Sequence, residues 1–457
     1  MGETATLAEF VESTTLNDVD DDAIEHAKKA IQDYVGVALF GSHHEVGDKV
    51  YDYLDAYGGE GDATVFQRPP KSPPAAALAN GAFGHAVDYD DTFESIVIHP
   101  TSPVFAAALA SADEVDDATG ADLLLGYIVG CEVAYRVGHS TYPEHYQNGW
   151  HSTGTAGSFG AAAAAASVIG LDAETTAHAF GITASSSSAL KKNFGTMTKP
   201  LHAGHAAQMG VRGALLAREG FTADPEIFEG DIGYNRVMTV DDAYDPSEIT
   251  DGLSEEWAVL DIGFKPYPSG VITHAAMDAM RNLVTEHDLT PDNVEEVVVT
   301  LEEAANEMLH HRQPSNELEA KFSIEFCLAA ILREGDAGVH EFTDEYVTED
   351  QTQKTISKVI RDFEEDLFGD DFAGYGAIVR VKTTDGEEFS EEIRHAPGSP
   401  NNPVSEERLG AKFTECAETR LSSDEAEALA DAIDVLEDIS IEEFRQYTTP
   451  TTSSTAD

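Results

Sequence analysis

The sequence contains 457 residues, 42% of them hydrophobic, which is enough apolar material for two or three packed domains and argues against disorder. Its 85 acidic and 27 basic residues give a formal net charge of −58. Nucleic acid and anionic membranes both require cationic partners, so this charge excludes them as ligands. No uninterrupted run of 18 apolar residues occurs, and we therefore predict no transmembrane helix.

The acidic residues are spread along the chain, and lysine is scarce throughout. A net charge of this size destabilises a compact fold by self-repulsion unless salt screens it. At molar salt the screening length falls to about 3 Å, and the repulsion becomes small. The pattern predicts a protein from a halophile, with an acidic protein from a low-salt organism as the alternative. We expect its melting temperature to rise between dilute and molar potassium chloride.

Cysteine usage and the N-terminal segment bear on location. The three cysteines, Cys131, Cys327 and Cys416, are far apart and form no CxxC pair, which disfavours a disulfide framework or a zinc ribbon. The N-terminal segment lacks the basic stretch and continuous apolar run of a secretory signal. We therefore expect a reducing, cytoplasmic location.

The first 260 residues have a helical pattern. In DDAIEHAKKAIQDYVGVALFGS, apolar residues from Ile24 to Ala38 recur at spacings of three and four, as on the buried side of a helix. Asp20, Asp21 and Asp22 supply the cap and first-turn acids that favour a helix start. Further helices are predicted in SPVFAAALASADEV, GADLLLGYIVGCEVAYRVGHS and TGTAGSFGAAAAAASVIGLD.

From about Phe264 the pattern changes to a mixture of strands and helices. VEEVVVTLEEA is typical of a strand, and GAIVRVKTTDGEEFSEEIRHA has two strand-like runs around Asp385-Gly386, which predicts a hairpin. The stretches KFSIEFCLAAILREG and TISKVIRDFEED are predicted helices between these strands. APGSPNNPVS follows as a linker, and the chain then becomes helical again.

These patterns predict a mainly α protein with two domains. A large all-helical domain is discontinuous and comprises residues 1–265 and 397–457. A smaller α+β lid domain comprises residues 266–396.

The stretch HAVDYDDTFESIVIHPTSPV concentrates polarity beside an alanine-rich neighbourhood, and three explanations compete: a metal site, an acid–base site or a solvated turn. A metal would use nitrogen and oxygen ligands from this set: His85, Asp88, Asp90, Asp91 and His99. The spacing matches no HExxH, His-x-His or EF-hand motif, so it does not favour metal.

Other catalytic classes find less support. No GxSxG elbow surrounds the serines, no Cys–His motif surrounds the cysteines, and GTAGSFG lacks the order of a phosphate loop. Proton chemistry on an anionic substrate remains, because histidines serve as acid or base and lysines bind carboxylates. Lys199 and Lys265 each precede a proline where chain bends direct side chains into clefts, although a surface lysine is the alternative.

Five stretches in order resemble the MmgE/PrpD family: HAVDYDDT…HP, GWHSTGTAGSFGAAAAAA, TKPLHAGHAAQMGVRGALLAREGFT, FKPYPSGVITHAAMDA and SPNNPVSEERLGAKF. The resemblance extends over nearly the whole chain. It implies a large helical domain made from both ends of the chain, an inserted α+β lid, a homodimer, and an active site without metal or other cofactor. Family members include 2-methylcitrate dehydratase and cis-aconitate decarboxylase.

The resemblance also implies site residues, motif by motif. His99 and His151 are expected to form the acid–base pair, with Asp88 and Thr92 orienting the first of them. The residues expected to bind the carboxylates of a di- or tricarboxylate substrate are Lys199, Lys265 and, as a weaker match, His274.

We predict a carbon–oxygen lyase of propionate catabolism that dehydrates 2-methylcitrate or a related hydroxy tricarboxylate. Decarboxylation of cis-aconitate and epimerisation of a dicarboxylate are alternatives within the family. A metal-dependent hydrolase and a non-catalytic scaffold are alternatives outside it.

Two departures from the family pattern disfavour a close match to the decarboxylase. Phe326 stands where a tyrosine is common, and Gly270 stands where the decarboxylase has histidine. If the Phe326 ring faces the site, its lack of a hydroxyl favours a substrate that bears a methyl group. The alternative is that Phe326 is an ordinary core residue.

Overall fold

The computed structural model describes residues 2–369 and 374–449, with the side chains at 304 and 307 left aside. Contacts divide the chain into two compact units: unit 1, residues 1–86, 90–262 and 410–457, and unit 2, residues 87–89 and 263–409. Segment 397–409, which we predicted for the helical domain, groups with unit 2. Together the units are mainly helical with a smaller α+β part, so the predicted fold class is confirmed.

Unit 1 begins with eleven helices among the described residues. They are α1 (Glu3–Ser13), α2 (Asp21–Gly41), α3 (Glu45–Tyr57), α4 (Pro73–Gly84), α5 (Thr101–Ala112), α6 (Gly120–His139), α7 (Glu144–Gln147), α8 (Ser152–Val168), α9 (Ala173–Ala184), α10 (Thr198–Arg218) and α11 (Tyr234–Met238). Short strands lie beside them: β1 (Ala63–Val65), β2 (Arg68–Lys71), β3 (Thr92–Phe93) and β4 (Ile262–Gly263). The helices predicted around residues 21–41, 101–112, 120–139 and 152–168 are confirmed.

Small residues let the central helices of unit 1 approach closely. A Cβ added to Gly204 on α10 would lie 2.3 Å from the Leu78 carbonyl oxygen of α4. One added to Gly210 would lie 2.5 Å from the backbone of Ala161 on α8, at the start of a fully buried alanine run. Because real side chains do not tolerate such distances, glycine at these positions fixes α10 against both neighbours.

Unit 2 combines a sheet with five helices among its described residues. In chain order these elements are α12 (His274–His287), β5 (Val294–Glu302), α13 (Glu317–Ala320), α14 (Ile324–Glu334), α15 (Asp344–Thr348), α16 (Asp350–Ile356), β6 (Val359–Glu364), β7 (Ala377–Thr383) and β8 (Glu388–Ile393). The strand order is β6-β5-β7-β8, with β5 parallel to β6 and antiparallel to β7. The predicted hairpin is confirmed, and Gly386 in its turn has a φ of 93° that favours glycine.

One predicted helix of unit 2 is wrong over nearly its whole length. Residues 355–366 were expected to be helical, but α16 ends at Ile356 and the chain continues as β6. Val359 is buried and pairs with Val297 of β5, and exposure then alternates along the strand. Val359, Ile360 and Phe363 are residue types that favour strands, so local composition and pairing at the sheet edge agree.

The chain returns to unit 1 with three further helices, α17 (Glu406–Ala417), α18 (Ser423–Asp434) and α19 (Ile441–Thr448). Here the buried Lys412 ammonium forms an ion pair of 2.6 Å with Asp33 of α2. None of the helices in the described part of the chain combines the length and apolar composition needed to cross a bilayer.

Candidate active site

A buried carboxylate, Asp90, lies at the centre of the polar group in unit 1. Helix α4 ends at Gly84, and the next residue, His85, turns back so that its Nδ1 lies 2.9 Å from Asp90 Oδ1 and 3.1 Å from Oδ2. The Ser102 hydroxyl, in the first turn of α5, donates to Asp90 Oδ2 at 2.6 Å. Both the His85 and the Asp90 side chains are fully buried.

The electrostatics of this pair define where the protons lie. Burial by itself raises the pKa of Asp90, but the adjacent His85 and His99 lower it well below its usual value, so the carboxylate is ionised. Burial lowers the pKa of His85 to about 4, so the imidazole is neutral at pH 7. An ionised carboxylate only accepts hydrogen bonds, so the single proton of His85 sits on Nδ1. Its buried Nε2 is therefore bare, and among the described residues it has no hydrogen-bond partner.

Two more histidines approach His85. The His99 ring centroid lies 4.4 Å from that of His85, and His99 Nδ1 is 3.5 Å from Asp90 Oδ1. The peptide N–H of His99 donates to the Thr153 hydroxyl at 3.0 Å, which ties this loop to the first turn of α8. His151 immediately precedes α8, and its ring centroid lies 5.9 Å from that of His85 and 6.5 Å from that of His99.

His151 has a fourth histidine as its partner. Its Nδ1 lies 3.0 Å from Nδ1 of His202 on α10. Burial, the nearby Lys199 cation and the other histidines lower the pKa of His151 well below its usual value. Burial and Lys199 likewise lower the pKa of His202 to about 4. Lys199, in the first turn of α10, is itself buried, and its Nζ lies 5.3 Å from the centre of the Phe194 ring.

Thr92 and the turn after it shape the loop that carries His99. The Thr92 hydroxyl donates to the Ile98 carbonyl at 3.2 Å, so its described contact is with the backbone before His99. Val97 in this turn has a φ of 53°, a left-handed conformation that is strained for a β-branched residue. The orienting role predicted for Thr92 therefore stays a prediction. The Thr92 hydroxyl contacts the loop backbone, whereas the Asp90 carboxylate contacts the imidazoles of His85 and His99 directly.

Asp91, next to Asp90, has a pKa that shifts in the opposite direction. Burial raises the pKa of Asp91 well above its usual value; the hydrogen bonds from Thr101 oppose this rise, and the carboxylates of Asp33 and Asp90 add to it. Its Oδ1 accepts the Thr101 peptide N–H at 3.4 Å, and its Oδ2 accepts from the Thr101 hydroxyl. The pKa values of the two neighbouring carboxyl groups thus shift in opposite directions because their partners differ.

The predicted residues Asp88, Lys265 and His274 belong to unit 2. The Lys265 ammonium donates to Asp88 Oδ1 at 2.7 Å and also to the Asp88 carbonyl, and both side chains are buried. Asp88 has a φ of 56°. His274 starts α12, and its Nε2 lies 3.2 Å from the Ser269 carbonyl, so Nε2 carries the proton. Burial and the Lys265 cation lower the pKa of His274 well below its usual value.

The alternative that Phe326 is a core residue is confirmed. The ring is fully buried in unit 2 and packs at 5.1 Å from Phe342 and 6.2 Å from Tyr346, measured between centroids. A substrate preference argued from this position therefore loses its support.

The side chains that could hold a metal in unit 1 are His85, Asp90 and His99, whose ligand atoms lie within 4.8 Å of one another. Two imidazoles and a carboxylate suit zinc or a similar divalent ion. In the described structure Asp90 accepts hydrogen bonds from His85 and Ser102.

The sequence prediction included His99, His151 and Lys199 but left out three residues that contact them. His85 and Asp90 were recognised as polar members of the opening stretch and were not assigned a role. His202 was visible in TKPLHAGH, three residues after Lys199. Helical spacing places Lys199 and His202 on one face of α10, and this signal could have identified His202.

Four buried histidines, an ionised carboxylate and a buried lysine therefore lie close together in unit 1. The chain belongs to the MmgE/PrpD family: its residues 5–247 match the MmgE/PrpD N-terminal domain and residues 267–438 match the MmgE/PrpD C-terminal domain. Members of this family are enzymes that act on tricarboxylates.

Curated relatives cover almost the whole chain. A cis-aconitate decarboxylase from Mus musculus is 30% identical over 450 residues, which are 95% of this chain and 91% of the relative. A cis-aconitate decarboxylase from Homo sapiens is 28% identical, covering 95% of this chain and 92% of the relative. One from Aspergillus terreus is 26% identical, covering 96% and 94%.

Proposed function

We propose that this protein is a carbon–carbon lyase that decarboxylates cis-aconitate. The relatives that match nearly the whole chain are cis-aconitate decarboxylases, and this supports decarboxylation over the dehydration expected from the sequence. The structural observation that carries the proposal is the concentration of His85, His99, His151 and His202 with Lys199 in the interior of unit 1. A protein of net charge −58 repels a polyanionic acid, so binding such an acid requires a cluster of cationic and hydrogen-bonding residues like this one.

Decarboxylation needs a proton donor more than a base. Breaking the bond to the departing carboxylate leaves its electron pair on the organic fragment, as a carbanion conjugated with the alkene. One proton added to carbon completes the product and balances the loss of carbon dioxide. In our proposal His151 supplies this proton, and His99, beside Asp90, is the second acid–base residue.

The cationic residues hold the remaining carboxylates in this proposal. Lys199 lies beside the histidines and carries a charge that a substrate carboxylate can pair with. Lys265 and His274 are proposed as substrate-binding residues because they match the family motif. The Lys265 ammonium also binds Asp88.

Dehydration of 2-methylcitrate is the second candidate, and one observation favours it. This reaction requires a base that removes a proton from carbon while an acid protonates the hydroxyl. Asp90 holds the His85 proton on Nδ1 and leaves Nε2 bare, as a general base requires. A decarboxylase has less need for such a group.

A panel of acids tests the proposal. Purified protein in molar potassium chloride would be given cis-aconitate, 2-methylcitrate and citrate, with carbon dioxide release and alkene absorbance recorded together. Carbon dioxide from cis-aconitate supports the decarboxylase. A new alkene from 2-methylcitrate without carbon dioxide supports the dehydratase and contradicts our first candidate. Turnover of none of these acids would contradict both.

A further inference from the structure

His151 and His202 share a single proton between their two Nδ1 atoms. The 3.0 Å separation is a hydrogen bond, and a hydrogen bond needs one nitrogen that donates and one that accepts. When His202 donates, a neutral His151 carries its own proton on Nε2 and is a proton donor there. When His151 donates, its Nε2 is bare and can only accept. The proton position of one ring therefore fixes that of the other.

The surroundings keep this pair neutral. Lys199, His85 and His99 are the charged and titratable groups around His151 besides His202, and Lys199 and His205 are those around His202. Burial and the Lys199 cation both disfavour an imidazolium in either ring. Because a second proton on either imidazole is disfavoured, each ring carries one proton. Whether that proton is on Nδ1 or Nε2 decides which ring nitrogen donates and which accepts.

We propose that His202 is a positioning residue that donates its Nδ1 proton to His151 and thereby keeps His151 in the form that protonates carbon. This inference rests on the proposed decarboxylation. His85 provides the contrast inside the same site, because the ionised Asp90 can only accept and therefore fixes His85 as a base. A histidine partner, unlike a carboxylate, permits the donor form of His151.

The pair also explains how a buried neutral histidine can give up a proton. As the Nε2 proton of His151 goes to the carbanion carbon, the shared proton moves from His202 Nδ1 to His151 Nδ1. His202 then takes a proton from solvent on its Nε2, so both rings stay neutral and one solvent proton enters the product. His202 is 7% exposed and His151 1%, so His202 is the ring nearer to solvent. After product release, loss of the proton from His202 Nε2 and gain of one at His151 Nε2 reset the pair.

Asparagine and aspartate at position 202 separate donation from mere space filling, because each places a polar atom at the δ position that Nδ1 occupies. Asparagine can donate from its amide, whereas an ionised aspartate can only accept. We expect His202→Asn to keep kcat within about tenfold. We expect His202→Asp to lower kcat by about 10²–10³-fold, the loss typical of a misplaced acid, with KM changed much less.

Nitrogen-15 NMR of ring-labelled histidine reads the proton position without substrate. The His151 signals are assigned from their loss in His151→Gln. We expect Nε2–H and bare Nδ1 on His151 in the wild-type protein and in His202→Asn, and Nδ1–H in His202→Asp. A wild-type His151 with its proton on Nδ1 would overturn the proposal, and this result does not require that either variant at position 202 folds.

His205→Asp is the matched control, since it adds the same charge one turn further along α10 and leaves the Nδ1 contact in place. We expect the tautomer of His151 to be unchanged in this variant. A loss of kcat as large as that of His202→Asp would show that the added charge alone is responsible, and would sink the inference. If the wild-type enzyme converts no acid of the panel, the proposed function fails, and the NMR result still decides the tautomer.

Discussion

Two buried aspartates only two residues apart, Asp88 in unit 2 and Asp90 in unit 1, have partners of different kinds. Asp88 binds the Lys265 ammonium through both its carboxylate and its carbonyl, so opposite charges compensate each other. Asp90 accepts hydrogen bonds from a neutral imidazole and from a hydroxyl. The first arrangement pairs two opposite charges directly. The second arrangement leaves Nε2 of His85 without a proton and so available to accept one.

The largest expected effect comes from His151, on the Asp90 side of this comparison. His151→Ala should lower kcat by about 10²–10⁴-fold, the usual range for a lost general acid or base, with the melting temperature little changed. Steady-state kinetics on the best acid of the panel would measure it. His178→Gln is a suitable control, because His178 is a partly buried histidine bonded to the Ala223 backbone. Near-normal turnover in His151→Ala would remove His151 from the mechanism.

Asp90→Asn and Asp91→Asn form a matched pair of neighbouring substitutions. Asp90→Asn removes a charge that fixes the His85 tautomer, and we expect kcat to fall by about 10²–10³-fold. Burial raises the pKa of Asp91 and so favours its neutral form, which asparagine imitates, and Asp91→Asn should therefore keep kcat within about threefold. Equal losses in the two variants would contradict this difference between the two carboxyl groups.

Lys265 is expected to matter for stability. Lys265→Met leaves the buried Asp88 carboxylate uncompensated, which typically costs about 3–5 kcal/mol in the free energy of unfolding. Urea titration would measure it, with Lys265→Met/Asp88→Asn as the control that removes both charges and recovers much of the loss. If the single variant unfolds at the wild-type urea concentration, the ion pair does not support the fold.

A smaller effect is expected from pH. The folded pKa of His85 is about 4, whereas an unfolded histidine titrates near 6.5. Between these values the unfolded chain binds more protons, so the stability that neutral His85 contributes is present above pH 6.5 and is lost as pH falls towards 4. The loss amounts to about 3 kcal/mol for His85, at about 1.4 kcal/mol per pH unit. His85→Gln should flatten the dependence of the unfolding free energy on pH; an unchanged slope would contradict a neutral buried His85.

Local sequence pattern was sufficient to predict most of the helices and strands. The long helices of unit 1 and the β7–β8 hairpin follow from apolar spacing and from the Asp385-Gly386 turn. Strand β6 was missed because its pairing partner, β5, lies some sixty residues earlier, and sequence pattern does not reveal such pairing. Val359, Ile360 and Phe363 favour a strand, and the acidic residues near them obscured this signal.

The sequence predicted candidate residues for the site but not their pairings. His99, His151 and Lys199 were proposed because whole stretches resemble a family, and the structure brings them near one another. Which of three aspartates holds a histidine depends on how the chain turns after α4, and nothing in the spacing distinguishes Asp88, Asp90 and Asp91. The contact between His151 and His202 joins two helices that lie about fifty residues apart in sequence, so only the folded structure displays it.

The pairing of Lys412 with Asp33 has a consequence for the order of synthesis. Helix α2 is made before most of unit 2, whereas the lysine that neutralises its fully buried carboxylate, and the Phe413 ring that packs over Gly36, are made after it. During translation, unit 2 can be completed almost whole from residues 263–409 while helix α2 still lacks this partner. The buried carboxylate of α2 therefore stays without its ion-pair partner until α17 has been made, and such a delay favours chaperone binding to the helices made earlier.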